Sequence, residues 1–121
     1  MNNLELLACR KLLFLEVNEA AKLIGNVEAR TWRYYESGRS GIPVAIQSKM
    51  QGLLQRRTSL LEQMRAEAGE YRKQGNGRQV VPFFKSFEQF QQETGLPDLL
   101  EWRIDMSVKS SLYLENAIVL Y

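Results

Sequence analysis

The sequence predicts a mainly α-helical chain: a bundle of short helices, then a small α+β region. Three observations carry that prediction. Apolar residues recur at three-and-four spacing through most of the first 73 positions. Stop signals at Gly25-Asn26 and Gly38 cut that spacing into short pieces. A lone β-favouring run, Gln79–Phe84, follows the flexible turn Gln74-Gly75-Asn76-Gly77. The expected division is therefore 1–73 and 78–121.

In the first helix, Leu4, Leu7, Ala8, Leu12 and Leu15 mark the core-facing side, with Arg10 and Lys11 near its end. Asn18 is placed as the cap of a second helix, Glu19 falls in its first turn, and Ala20, Ala21, Leu23 and Ile24 form its buried side. Gly25 and Asn26 both tolerate the left-handed conformation and end it. A third helix runs from about residue 27 or 28 to Ser37, with Val27, Trp32 and Tyr35 inward and Gly38 as its stop. Pro43 opens either one helix to about residue 73 or two helices meeting near Gly52. Near-heptad apolar positions from Ile46 to Tyr71 suit a spine towards a self-association region, or an ordinary amphipathic core helix.

In the second part, Pro82 limits the Gln79–Phe84 strand to a sheet edge or a bulge. Ser86-Phe87-Glu88-Gln89 has capping-box spacing and opens a helix closed by Gly95. Asp98 caps a last helix, although Leu100, Trp102, Ile104 and Met106 also alternate as a strand would over 100–106. The apolar run Ala117–Tyr121 is expected to be buried against the core or a partner subunit. Val81, Phe83, Phe84, Trp102 and Met106 are assigned to a dimer interface. The acids Glu88, Glu93, Asp98, Glu101 and Asp105 read as a solvated face.

Composition removes much chemistry. The 121 residues include no histidine and a single cysteine, Cys9. A His-based triad, a His-ligated zinc and an intramolecular disulfide are excluded, and no metal or cofactor is expected. No phosphate-binding glycine loop is present, so an enzyme is not expected. The unpaired cysteine fits a reducing cytoplasm, and the polar N-terminus gives no sign of a signal peptide or a membrane anchor. The net charge of +2 conceals a split. Residues 1–60 carry nine Lys/Arg against five Glu, a net +4, whereas 61–121 carry seven against nine acids, a net −2.

Two short helices joined by a tight turn, with a helix before and another after, is the helix-turn-helix layout. The third helix puts Trp32 and Tyr35 on one face and Arg30, Arg33 and Tyr34 elsewhere, with Glu28 and Ala29 at its leading end. A recognition helix needs this division, one face packing and the other carrying long donors into a major groove. These five residues are assigned to base reading; Asn18, Asn26, Ser37, Arg39, Ser40 and Lys49 are assigned to DNA phosphates. Each phosphate candidate could equally be a solvated surface residue. A protein-contacting adaptor or antitoxin-like module is the competing class, and RNA offers the same phosphates to the same arginines.

The string Leu23–Val27, then Trp32–Gly38 and Pro43, resembles the lambda-repressor-like (Cro/Xre) helix-turn-helix family, whose aromatic-Glu-x-Gly closure is matched by Tyr35-Glu36-Ser37-Gly38. A fuller resemblance rests on Glu5-Leu6, Arg10–Leu13, Val17, Glu19–Ala21, Ile24-Gly25, Ala29-Arg30, Trp32, Tyr35–Ser40, Pro43, Phe84, Trp102-Arg103 and Ser107-Val108. By these the chain resembles the anti-CRISPR-associated (Aca), YdiL-like repressors. That resemblance implies a homodimeric autorepressor of an anti-CRISPR operon bound to inverted repeats of double-stranded DNA. It implies a base-reading role for Arg30, and RNA of the protein's own transcript as a second target.

Overall fold

A computed structural model describes residues 1–121. The chain is mainly helical: α1 (Asn3–Leu12), α2 (Val17–Ala20) continued by a π-helical turn (Ala21–Gly25), α3 (Ala29–Ser37), α4 (Val44–Lys73), β1 (Gln79–Val81), α5 (Phe87–Thr94), α6 (Leu99–Leu114) and β2 (Ile118–Leu120). It divides into two compact units, Met1–Gln55 and Arg56–Tyr121. The division falls inside α4, earlier than the turn at 74–77. The reason is local: Arg56, Arg57 and Arg65 on α4 bond Glu101, Ser107, Ser111 and Glu115, on α6 or just past its end. No helix is long and apolar enough to cross a membrane.

The first unit is built around Leu6, Leu13, Leu15, Ala20, Ala21, Ile24, Trp32, Tyr35, Ile46 and Met50, all buried. The inward face of α1 is rotated from the expected one: Leu6 is enclosed, whereas Leu4 and Leu12 are exposed and Ala8 faces solvent. Six leucines between positions 4 and 15 satisfy more than one helical stripe. An Asn2–Glu5 capping box starts α1.

The second helix begins earlier than expected. Glu16 is its cap residue, and its box partner is Glu19, so Asn18 lies inside the helix as an exposed residue. Of the pair that ends the π turn, only Asn26 is left-handed, at φ 50°. Gly25 serves close approach instead: a Cβ there would stand 3.0 Å from Val27 Cγ2 and 3.2 Å from the Trp32 ring. Leu23 is partly exposed rather than buried.

One polar contact ties α1 to α3. The Glu36 carboxylate accepts Arg10 Nε at 2.6 Å, Arg10 Nη2 at 3.1 Å and Trp32 Nε1 at 2.6 Å. Arg10 Nη1 donates to the Leu15 carbonyl at 2.9 Å, and Asn3 donates to the Glu36 carbonyl at 3.2 Å. Both charged side chains are about nine-tenths enclosed. A bidentate, hydrogen-bonded pair of this kind offsets the desolvation of its two charges.

In the second unit β1 and β2 pair in parallel, Gln79 with Ile118 and Val81 with Leu120. The bonding runs on past Pro82: Tyr121 N donates to the Val81 carbonyl at 3.1 Å and Phe83 N to the Tyr121 carbonyl at 2.9 Å, so the N–H that Pro82 lacks is not one that β2 needs. The apolar run near residue 118 is thus a strand on its own unit. Residues 100–106 are helical: the Asp98 carboxylate accepts from Leu100 N and fixes the start of α6. Ser86 caps α5 through Gln89 N, while the Gln89 side chain accepts from Lys85 N rather than closing the expected box. Pro43 lies just before α4, its carbonyl accepting Gln47 N at 3.2 Å, and Gly52 does not interrupt the helix.

Phe84, Phe90 and Trp102 form an aromatic core with Phe87, Leu99 and Met106 against it. Trp102 Nε1 donates to the Phe84 carbonyl at 3.0 Å. Asp105 is not on a solvated face. It pairs with the buried Lys109 ammonium at 2.9 Å, and that ammonium also donates to the Pro82 carbonyl at 2.6 Å and lies 4.6 Å from the Phe84 ring centre. Burial pushes the Asp105 carboxyl above the usual carboxylate range, although Lys109 opposes it.

Two outcomes follow for stability. Glu36→Ala strands the Arg10 guanidinium and the Trp32 N–H, so urea unfolding should show a loss of about 3 kcal/mol; unchanged stability would remove Glu36 as the link. The folded-state value of Asp105 lies above its unfolded one. Its contribution is therefore complete below the unfolded value and lost as pH rises through the folded one. The stability of the wild type relative to Asp105→Asn should fall as pH rises across that window, read from urea unfolding at successive pH values.

Candidate nucleic-acid interface

Helix α3 is oriented by its buried side. Trp32 and Tyr35 pack edge to face, ring centres 6.1 Å apart, and Glu36 anchors the same flank to α1 through Arg10. At 100° per residue this leaves Arg30, Arg33 and Ser37 outward, and all three are exposed. Tyr34, beside them, is half-buried.

Tyr34 is the centre of a small cluster. Arg30 Nε donates to Tyr34 Oη at 2.6 Å, one helical turn apart. The Arg39 guanidinium carbon stands 4.4 Å from the centre of the same ring, within cation–π range, and that of Arg30 stands at 5.5 Å. The turn after α3 brings Arg39 back. Gly38 is left-handed at φ 82°, Ser40 N donates to the Tyr34 carbonyl at 3.1 Å, and Ser37 Oγ donates to the same carbonyl at 3.2 Å. A residue with a side chain is strained at that φ, which is why the closure carries glycine.

A second grouping lies at the leading end of α3. Asn18, Ala21, Lys22, Asn26, Val27, Glu28 and Ala29 line an open cleft of about 530 Å³. Glu28 is the backbone cap of α3 and makes no side-chain capping bond; it is exposed, and Ala29 is half-buried. Lys22, which the sequence reading did not select, is exposed in this cleft. Its signal was its position four residues after Asn18, the same face of a helix.

The candidates thus fall into two neighbourhoods. Asn18, Asn26, Glu28 and Ala29 share the cleft; Arg30, Tyr34, Ser37, Arg39 and Ser40 share the Tyr34 cluster. Arg33 is exposed on the outward side of α3. Lys49, exposed on α4, lines neither grouping. Of the dimer candidates, Val81, Phe84 and Trp102 are buried within the second unit, and Phe83 and Met106 are half-buried.

Three of the five glutamates of the first unit are engaged within it. Glu5 and Glu19 bond the backbone N–H groups of Asn2 and Glu16 at helix starts, and Glu36 is paired with Arg10. Lys22, Arg30, Arg33 and Arg39 remain outward, with Glu28 beside them.

The sequence profile of the Aca2/YdiL-like family matches residues 1–121. The Aca2 repressor of Pectobacterium phage ZF40 is 34% identical over 116 residues, 96% of each chain. The uncharacterized protein YdiL of Escherichia coli (strain K12) is 27% identical over 114 residues, 93% of each. With an exposed arginine-bearing helix on a buried Trp-Glu-Arg anchor, and with similarity running from end to end, this chain belongs to the Aca2/YdiL-like family.

Proposed function

We propose that this protein is a sequence-specific DNA-binding repressor in which α2, the π turn and α3 act as a helix-turn-helix. The observation that carries this reading is the outward row Arg30, Arg33 and Ser37 on a helix whose opposite face is fixed by Trp32, Tyr35 and Glu36. A helix held by one face presents the other at constant depth, and a major groove is wide enough to admit it. Arginine suits this position because its planar fork bonds guanine O6 and N7 together. The similarity to a protein named a repressor in a phage supports the same reading and extends it to control of an anti-CRISPR locus.

In this reading Arg30 and Arg33 face base edges, with Tyr34, Ala29 and Glu28 at the groove. Asn18, Asn26, Ser37, Arg39, Ser40 and Lys49 take phosphates. One such helix spans few base pairs, so a homodimer on inverted repeats supplies a second head about one helical turn away. Because Val81, Phe84 and Trp102 are enclosed in their own unit, Phe83 and Met106 are joined at the dimer contact by exposed apolar residues of the same unit, Val80, Leu114 and Tyr121.

The test is a titration series on promoter duplexes, with scrambled duplex and the protein's own transcript RNA as parallel arms. Arg30→Ala should lose roughly 1–3 kcal/mol on the operator and relax discrimination at one base pair. Full operator affinity in that variant would exclude α3 as the reading helix. Arg39→Ala should weaken every sequence alike and reduce the slope of log K against log salt by about one phosphate's worth.

A further inference from the structure

Arg30 is exposed, yet its side chain is already committed. Its Nε donates to Tyr34 Oη at 2.6 Å, so the inner edge of the guanidinium is occupied. Only the outer edge, Nη1 and Nη2, is left to face a ligand. The acceptor is itself held in place: the Arg39 guanidinium lies against the Tyr34 ring at 4.4 Å, and Ser40 N and Ser37 Oγ both bond the Tyr34 carbonyl. A solvent-exposed arginine otherwise carries rotamer freedom that binding must remove, and a side chain ordered beforehand escapes that loss.

We propose that Tyr34 is a positioning residue for Arg30 rather than a reader of bases. Its hydroxyl fixes which edge of the guanidinium meets the DNA, and its ring couples that edge to the placement of Arg39. The proposal rests on the reading of α3 as a DNA-recognition helix and replaces the base-reading role given to Tyr34 there. An end-on fork, through Nη1 and Nη2, has one approach direction to a guanine. A guanidinium with its Nε unoccupied has a second, side-on approach through Nε and Nη2. Loss of the hydroxyl should therefore blur selectivity at the Arg30 base pair without weakening the general hold on phosphate.

Tyr34→Phe is the discriminating variant, because it keeps the ring under Arg39 and deletes only the hydroxyl. The wild type, Tyr34→Phe, Arg30→Ala and the double variant are each selected on a duplex pool randomised over about 20 base pairs, the span of two half-sites a turn apart. They are then titrated on the wild-type consensus and on scrambled duplex, with thermal unfolding as the check on folding. Tyr34→Phe should retain wild-type affinity and salt dependence on scrambled duplex. It should lose roughly fivefold in preference at the base pair that Arg30→Ala relaxes, about the net worth of one hydrogen bond. In the Arg30→Ala background, Tyr34→Phe should change consensus affinity no further.

Three results overturn the proposal, and they are distinguishable. A wild type that selects no consensus removes the DNA-reading assignment of α3 and this inference with it. A wild type that selects one, with Tyr34→Phe equally selective at every position, removes the positioning role alone. A Tyr34→Phe loss that persists undiminished in the Arg30→Ala background, or falls at a different base pair, makes Tyr34 a direct contact. Should Tyr34→Phe melt well below the wild type, Arg30→Lys is compared with and without Tyr34→Phe at a temperature where both are folded. Lysine has no Nε–Nη edge to orient, so hydroxyl loss must be neutral in that background, and a loss of selectivity there overturns the positioning role.

Discussion

The Glu36 carboxylate is the contact on which the first unit depends. It draws three donors from two helices to one point: the two Arg10 nitrogens from α1 and the Trp32 indole from its own helix. Hydrophobic packing alone is non-directional and would let α3 rotate about its axis with modest loss. A bidentate pair, with Trp32 buried beside it, defines that rotation. The outward arginines keep their orientation because the inward side has one arrangement of bonds to satisfy. Glycine at 38 completes the same arrangement by turning the chain over Tyr34.

The charge of the first half has a spatial counterpart. Its bases and acids are unlike in what they do: Glu5, Glu19 and Glu36 are taken up by backbone amides or by Arg10 inside the unit. The bases on α3 and the following turn have no such internal acid partners. A nearly neutral chain can thus present a locally basic surface, since what a ligand meets is the charge left outward, not the total.

Much of this was legible in the sequence, for reasons that differ by element. The limits of α3 were readable because Trp32 and Tyr35 mark one face and Gly38 is the residue a left-handed stop requires. The turn at 74–77 and the caps at Ser86 and Asp98 were readable because their chemistry is local. The face of α1 was not: with leucine at 4, 6, 7, 12 and 13, periodicity admits several stripes, and only the fit of Leu6 and Leu13 into the core chooses one. The Glu36–Arg10 pair spans 26 positions and leaves no local mark, although Glu36 four residues after Trp32 was a readable half of it. The helix over 100–106 was ambiguous because its residues suit either period, and Asp98 broke the tie. Asp105 was misplaced among solvated acids because the lysine that buries with it sits one turn on, a spacing equally common on exposed helix faces.

The parallel pairing of β1 with β2 has a consequence for time rather than for shape. Gln79 meets Ile118, 39 positions later, and no ladder bond can form until α5 and α6 have been spanned. The first unit closes largely through helices that neighbour one another in sequence. Contacts between near neighbours form fast, and non-local strand pairing is slow because loop closure must come first. On a growing chain every residue that bonds within the arginine-bearing unit, the 26-residue span from Arg10 to Glu36 included, is made before the strand that completes the second unit.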